Sequence, residues 1–222
     1  INSKPKIKVL AINENTDDNF LKRIYTDDEF EYNSFKINNL NFNIIPDQNL
    51  IVLNELESIS DALRTALVSF KNDGGHILTI PSKEINLNTY NQLFNNSNTP
   101  QYNSLSSQQK RITTINYNHP LLANAFYSKV SNFQYPKVET SYSFSSNANS
   151  VLSYEDGNAF LVGSDGFYAF SSALNDENSN FKNSPLIVPV LYNIGKQSLK
   201  LPQLYYSIGQ PNTIAINAVL GQ

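Results

Sequence analysis

Residues 49–82, NLIVLNELESISDALRTALVSFKNDGGHILTIPS, read as a complete strand-helix-strand unit in which every local signal agrees. Leu50-Ile51-Val52-Leu53 is a short apolar run without alternation, as a strand covered on both faces of a parallel sheet requires. Ser58 offers an N-cap, with Asp61 three residues on as a shortened capping box and an acid at the positive helix end. Ile59, Ala62, Leu63, Ala66, Leu67 and Phe70 share one helical face through three- and four-residue steps, while Asp61, Arg64 and Lys71 fall elsewhere. Gly74-Gly75 supplies the positive-φ stop, and Ile77-Leu78-Thr79-Ile80 runs out as the next strand before Pro81. A crossover of this length makes the two strands parallel and the connection right-handed.

The flanking chain extends the pattern. Residues 6–13, KIKVLAIN, form a first apolar strand, and Thr16 or Asp17 is placed to cap a short helix carrying Phe20, Leu21, Ile24 and Tyr25. Phe30 to Ile37 alternates as a strand, and Phe42 to Ile45 reads as a short edge piece before the Pro46-Asp47 turn. Beyond Ser82, residues 84–94 carry weak helical spacing, and residues 95–109 read as a polar loop without core. Arg111 to Ile115 is a short strand, and His119-Pro120-Leu121-Leu122 looks like a helix start with proline in its first turn. Val138 to Phe144, Ser150 to Tyr154, Ala159 to Val162 and Phe167 to Ser171 are strand-like. Turns at Glu155-Asp156-Gly157-Asn158 and Ser164-Asp165-Gly166 join the last three. Ser184-Pro185 opens a helix that stops at Gly195, with Pro189 expected to kink its first turns. Leu204 to Ile208 and Thr213 to Val219 read as strands of an appended hairpin. The division expected is an α/β domain over residues 1–198 and an appended β segment, or the start of a further domain, over 199–222.

The 222 residues can bury a sizeable core. A net charge of -3 and the lack of any polybasic run give no electrostatic footprint for nucleic acid or an anionic membrane surface. Cysteine is absent, which removes disulfides, thiolate metal sites and a cysteine nucleophile together. Asparagine supplies 33 residues, which inflates the apparent loop content. The chain opens on Ile1, has no signal-peptide pattern and no apolar run near the roughly 18 residues that span a bilayer, so it reads as a piece of a longer chain.

The succession KIKVLAINE, LIVLNELESISDALRTALVSFKNDGGHILTIPS, NHPLLANAF, YEDGNAFLVGSDGFYAFSSALNDENSNF and SPLIVPVLYNIG resembles the extracytoplasmic domain of BatA-type membrane proteins of the Bacteroides aerotolerance group. The central part of those domains is similar to class I glutamine amidotransferases. The resemblance covers about Lys6 to Gly195. It implies a flavodoxin-like, three-layer α/β sandwich with a mainly parallel sheet and antiparallel hairpins. It also implies a periplasmic domain of an inner-membrane protein, with membrane contact only through segments outside this chain and with protein partners in the cell envelope.

In active amidotransferases the strand equivalent to His76-Ile80 ends in a sharp turn bearing a cysteine, with a histidine as base and an acid to orient it. Pro81-Ser82-Lys83 stands there instead. Ser82 lacks a G-x-S-x-G setting and a following histidine-acid pair, so the expectation is a non-enzymatic interaction or sensing domain of a membrane-anchored cell-envelope protein that keeps the fold and has lost the nucleophile. Hydrolysis or transfer through Ser82, or a metal held by Asp27-Asp28-Glu29 and Glu31, is the alternative chemistry. That acidic cluster needs nothing beyond a solvated turn to explain it. Gly74-Gly75 leaves a helix for a strand, the reverse of a phosphate loop. Asp176, Asn178 and Asn180 imitate the start of a calcium loop, but Phe181 replaces its glycine and Ile187 its closing glutamate. His76 and His119 read as strand-entry and turn residues. No cofactor is expected.

Topology supplies the remaining place, because ligands of open α/β sheets sit beyond the carboxyl ends of the strands. There the chain collects Asn13, Glu14, Asn54, Glu55, Ser82 and Lys83, suited to a small polar ligand or a peptide end. A partner contact is expected among Tyr142, Phe144, Tyr154, Phe160, Phe167, Tyr168 and Phe170, whose alternation would leave an outward aromatic patch, or on the hairpin of Leu204 to Val219.

Overall fold

The computed structural model describes residues 5–95, 98–123 and 134–200. The strands anticipated around the central unit are β1 (Ile7–Asn13), β2 (Phe30–Lys36), β3 (Leu50–Asn54) and β4 (His76–Ile80). After them come β5 (Tyr102–Ser106), β6 (Lys110–Ile115), β7 (Lys137–Val138), β8 (Ser141–Phe144), β9 (Ser150–Tyr154), β10 (Ala159–Ser164) and β11 (Phe167–Phe170). Nine of them form one sheet in the order β2-β1-β3-β4-β11-β10-β9-β6-β7, and β5 pairs with β8 in a small second sheet. β2, β1, β3, β4 and β11 run parallel, and the hairpin strands from β10 outward are antiparallel.

The unalternated runs have the cause assigned to them, since both faces of the parallel strands are covered. Val9, Ala11, Leu50, Val52, Leu78 and Ile80 enter one apolar cluster, and Leu10, Ile12, Ile51, Leu53 and Ile77 enter the other. The first cluster is closed by α1 (Asn19–Ile24) and α4 (Ile187–Gln197), tied together by the Tyr25 hydroxyl, which donates to the Leu191 carbonyl at 2.8 Å. The second is closed by α2 (Asp61–Asn72), α3 (Leu87–Phe94), the 3-10 turn Phe42–Asp47 and the β5-β8 pair. This is a three-layer α/β sandwich, mainly parallel with antiparallel additions.

Several local expectations change. Ser60, not Ser58, caps α2: its Oγ accepts from the Leu63 amide at 3.2 Å. The Ile59 amide, just before the cap, donates to Thr89 Oγ1 at 3.1 Å and ties the start of α2 to α3. Asp18 occupies the cap position of α1, and Asp17 instead takes the Asn19 amide at 3.1 Å. Phe42–Asp47 is helical rather than an edge strand because Asn41 Oδ1 captures the Asn43 amide and closes a tight turn. His119 begins a turn, its carbonyl accepting from the Leu122 and Ala123 amides. Val138 to Phe144 divides between β7 and β8, which belong to different sheets.

α4 runs through Gly195 to Gln197. Gly195 is there for contact, since a Cβ would stand 2.7 Å from Tyr25 Cε1 and 2.8 Å from Phe30 Cε1. Pro189 is the third residue of α4, where an amide has no intrahelical partner, so the ring removes no hydrogen bond. The stretch expected as coreless loop contains β5, whose Tyr102 is buried. The later aromatics leave no outward patch: Tyr142, Phe144, Tyr154, Phe160, Phe167, Tyr168 and Phe170 are all buried, because helices or the small sheet cover both faces there too. The hairpin expected at Leu204 to Ile208 and Thr213 to Val219 lies outside the described residues.

Candidate functional site

Because β1, β3, β4 and β11 are parallel, their carboxyl ends bring four loops to one edge of the sheet. Those loops enclose a cleft of about 640 Å³ lined by Asn15, Thr16, Glu55, Glu57, Ser82, Lys83, Glu84 and residues 175–177. Of the residues anticipated from the sequence, Glu55, Ser82 and Lys83 line it. Asn13 and Asn54 lie beneath as a buried brace: Asn54 Nδ2 donates to Asn13 Oδ1 at 2.7 Å and to the Asp17 carbonyl at 3.2 Å, and Asn13 Nδ2 donates to Ser34 Oγ at 2.8 Å. Glu14 holds the next loop through the Glu57 amide, which donates to its Oε2.

Glu55 is the most constrained member. It has a positive φ of 58°, a conformation that costs a non-glycine residue free energy and has to be held by its surroundings. Its amide donates to the Ile80 carbonyl at 2.8 Å, joining the ends of β3 and β4. Only 7% of its surface is exposed, and Oε1 accepts from Asn175 Nδ2 at 2.6 Å. Burial is the largest influence on its carboxyl and raises the pKa above the ordinary carboxylate value, while bonds from Asn175 and Thr16 act in the opposite direction.

At the turn after β4, Ser82 Oγ donates to the Glu84 carbonyl at 2.9 Å. Ser82 does not share the positive φ of a strained nucleophile turn. Both histidines of the chain line a different cavity, of about 360 Å³, beside the amino end of β4. There His119 Nε2 donates to the Gly163 carbonyl at 2.9 Å while Nδ1 accepts from the Leu121 amide at 3.1 Å, so this buried ring is fully engaged. Ser82 therefore has no imidazole on its edge of the sheet.

Asn178 is spent on structure, accepting from Thr140 and donating to the carbonyls of Thr140 and Ala173. Glu29, in the acidic cluster after α1, pairs with Lys196 at 2.7 Å and accepts from the Tyr192 hydroxyl. Among the described residues no group of three histidine, aspartate or glutamate side chains is placed to hold a metal ion.

The sequence reading missed Asn15, Thr16, Glu57, Glu84 and residues 175–177 as cleft residues. The first four sit one or two positions from anticipated ones and could have been found by following each loop past the strand end. Asn175-Asp176-Glu177 needed the knowledge that β11 lies beside β4.

No protein-family profile matches the chain, and no curated protein sequence does. Solved structures do. A putative ThuA-like protein from Bacteroides uniformis superposes with a TM-score of 0.60 at 13% identity, covering 85% of this chain and 90% of that one. A putative GMP synthase component from Thermoplasma acidophilum gives 0.55 at 8% identity, over 88% of this chain and 96% of that one. A β-galactosidase from Marinomonas gives 0.55 at 12% identity over 89% of this chain, which spans only 30% of that enzyme. At such identities the likeness is one of fold, and the fold is that of the flavodoxin-like, class I glutamine amidotransferase-like sandwiches.

Proposed function

We propose that this chain is a non-enzymatic interaction domain of a membrane-anchored cell-envelope protein, and that it meets a protein partner at the cleft formed by the carboxyl ends of its parallel strands. The observation that carries this reading is the state of Ser82. The hydroxyl at the position where an amidotransferase holds its nucleophile donates to Glu84, and both histidines lie in a different cavity. A serine without a base to take its proton is a poor nucleophile at neutral pH. The cleft instead offers carboxylates, amides and one lysine, a set suited to recognition. The envelope setting rests on the resemblance to BatA-type domains. No helix among the described residues is long and apolar enough to cross a membrane, so anchors would belong to other segments.

The test is a glutaminase assay on the purified chain beside Ser82→Ala. Equal background ammonia release in both supports the reading. Release above background that disappears in the variant overturns it. A second reading, a small-ligand-binding module, draws on the cleft volume, which falls within the range of small-molecule sites.

A further inference from the structure

Glu55 is a buried carboxyl with no salt-bridge partner among the described residues. A charge removed from water is ordinarily met by an opposite charge as well as by hydrogen bonds. Glu55 has a hydrogen bond, from Asn175 Nδ2 at 2.6 Å, but no ion pair with any described residue. Lys182 is the cation whose charge lowers the Glu55 pKa. Its ammonium is committed 3.3 Å from Asp176 and lies over the Phe20 ring at 5.4 Å. Lys83 lines the same cleft but is exposed and pairs with no carboxylate among the described residues.

The rim reinforces the bias. Glu57, Glu84 and Glu177 line the same cleft as Glu55, and Lys83 is the only cation among its described lining residues, so the field in the cleft favours a positive guest. A metal ion does not suit these groups, because no three of the described acids and histidines converge. An organic cation does suit them: an ammonium or guanidinium donates several hydrogen bonds at once and tolerates a mixed set of carboxylate and amide acceptors.

We infer that the cleft receives a lysine or arginine side chain of a partner polypeptide, which becomes the missing counter-ion of Glu55. This rests on the reading of the cleft as a partner surface and assigns the chemistry of that partner. A volume of about 640 Å³ holds such a side chain with its flanking residues. Lys83 then acts as an internal competitor for the same carboxylates.

Amide NMR titration of the isotopically labelled chain tests this, with the probes acetyl-Gly-Lys-Gly-amide, acetyl-Gly-Gln-Gly-amide and putrescine. The lysine peptide is expected to move the resonances of Thr16, Glu55 and Asn175 and to bind about tenfold more tightly than the glutamine peptide. Glu55→Gln, which preserves shape and the bond from Asn175, should abolish that preference, and Lys83→Ala should tighten the lysine peptide. The double change Glu57→Gln and Glu84→Gln, at exposed positions, weakens binding without touching the buried group.

Equal affinity for the two peptides overturns the inference while leaving partner binding at the cleft intact. Unchanged discrimination in Glu55→Gln also overturns it. Putrescine binding as tightly as the lysine peptide removes the polypeptide as the source of the cation. The absence of any shift around the cleft overturns both the inference and the cleft as the partner surface.

Discussion

Asn175 Nδ2 stands 2.6 Å from Glu55 Oε1, joining the loop beyond β11 to the end of β3 across 120 positions of sequence. Burial there raises the Glu55 pKa against the opposing influence of the Asn175 bond, so the folded state holds the proton more strongly than the unfolded chain. The sign follows from that. The penalty for ionising Glu55 is absent below the unfolded carboxylate value, grows as pH rises toward the folded value, and is constant above it. Glu55→Gln is expected to raise stability near neutral pH, with the gain shrinking as the solution is acidified toward about pH 4.5 and absent below it. Urea midpoints of both proteins across that range check this, and a variant less stable at neutral pH would contradict it.

Leu67 on α2 is fully buried in the cluster it shares with Ile51, Leu53 and Ile77. Leu67→Ala should cost about 2 to 5 kcal/mol, the transfer free energy of the lost atoms plus the cavity left behind. A loss below about 1 kcal/mol in chemical denaturation would show that this face of α2 is not core.

The same helix shows why part of the molecule is legible in the sequence. α2 and the strands on either side of it bury residues at a constant period or in unbroken runs, and local spacing reports that directly. β5 is the opposite case. Of its residues Tyr102 is the buried one, set among Asn103, Ser104 and exposed Leu105, so no periodicity distinguishes it from a loop. Its partners are Phe94 and Phe144 at ring distances of 5.4 and 5.0 Å, and the Phe170 carbonyl, which accepts from its hydroxyl at 2.6 Å. None of these is local. The aromatics of β9 to β11 look two-faced in the sequence for the same reason, since the elements covering their second face come from distant sequence. The cleft is legible where it depends on strand ends within the central unit, through Glu55, Ser82 and Lys83. Residues 175–177 are not, because the pairing of β11 with β4 is a property of the assembled sheet.

Gly195 separates two reasons for a glycine. At Gly195 an added methyl meets the rings of Tyr25 and Phe30, held in a packed layer between α1, β2 and α4. Gly195→Ala should therefore destabilise by about 1 to 3 kcal/mol through overpacking, despite the better helix propensity of alanine. At Gly74 an added methyl meets nothing within 4 Å, but φ is +83°. Gly74→Ala should cost about 1 kcal/mol, from backbone strain alone. Shortening Phe30 to Leu in the Gly195→Ala background discriminates the two: it should recover part of the Gly195 loss and none of the Gly74 loss. Equal effects of Phe30→Leu in both backgrounds would rule out the steric account.

His76 begins β4 with Nδ1 buried and unbonded, and Gly166 packed so closely beneath the ring that a Cβ would come within 2.5 Å of Cδ2. Burial, followed by the positive charges of Lys71 and Lys200, lowers its pKa to about 4. The unfolded chain takes up this proton near the ordinary histidine value while the folded protein resists it, so the unfolded state binds more protons between about pH 6.5 and about pH 4. Stability contributed by the neutral ring is complete above that window and is lost as pH falls through it. His119 shares the cavity and is lowered by its own burial, against the opposing influence of its bond to the Gly163 carbonyl, so it adds to the same slope. His76→Gln, which cannot take up a proton, should flatten the fall of the urea midpoint between about pH 6.5 and about pH 4.5 without abolishing it, the remaining slope belonging to His119 and the carboxylates. Parallel pH profiles for the wild-type chain and the variant would show that His76 is not held neutral by the fold.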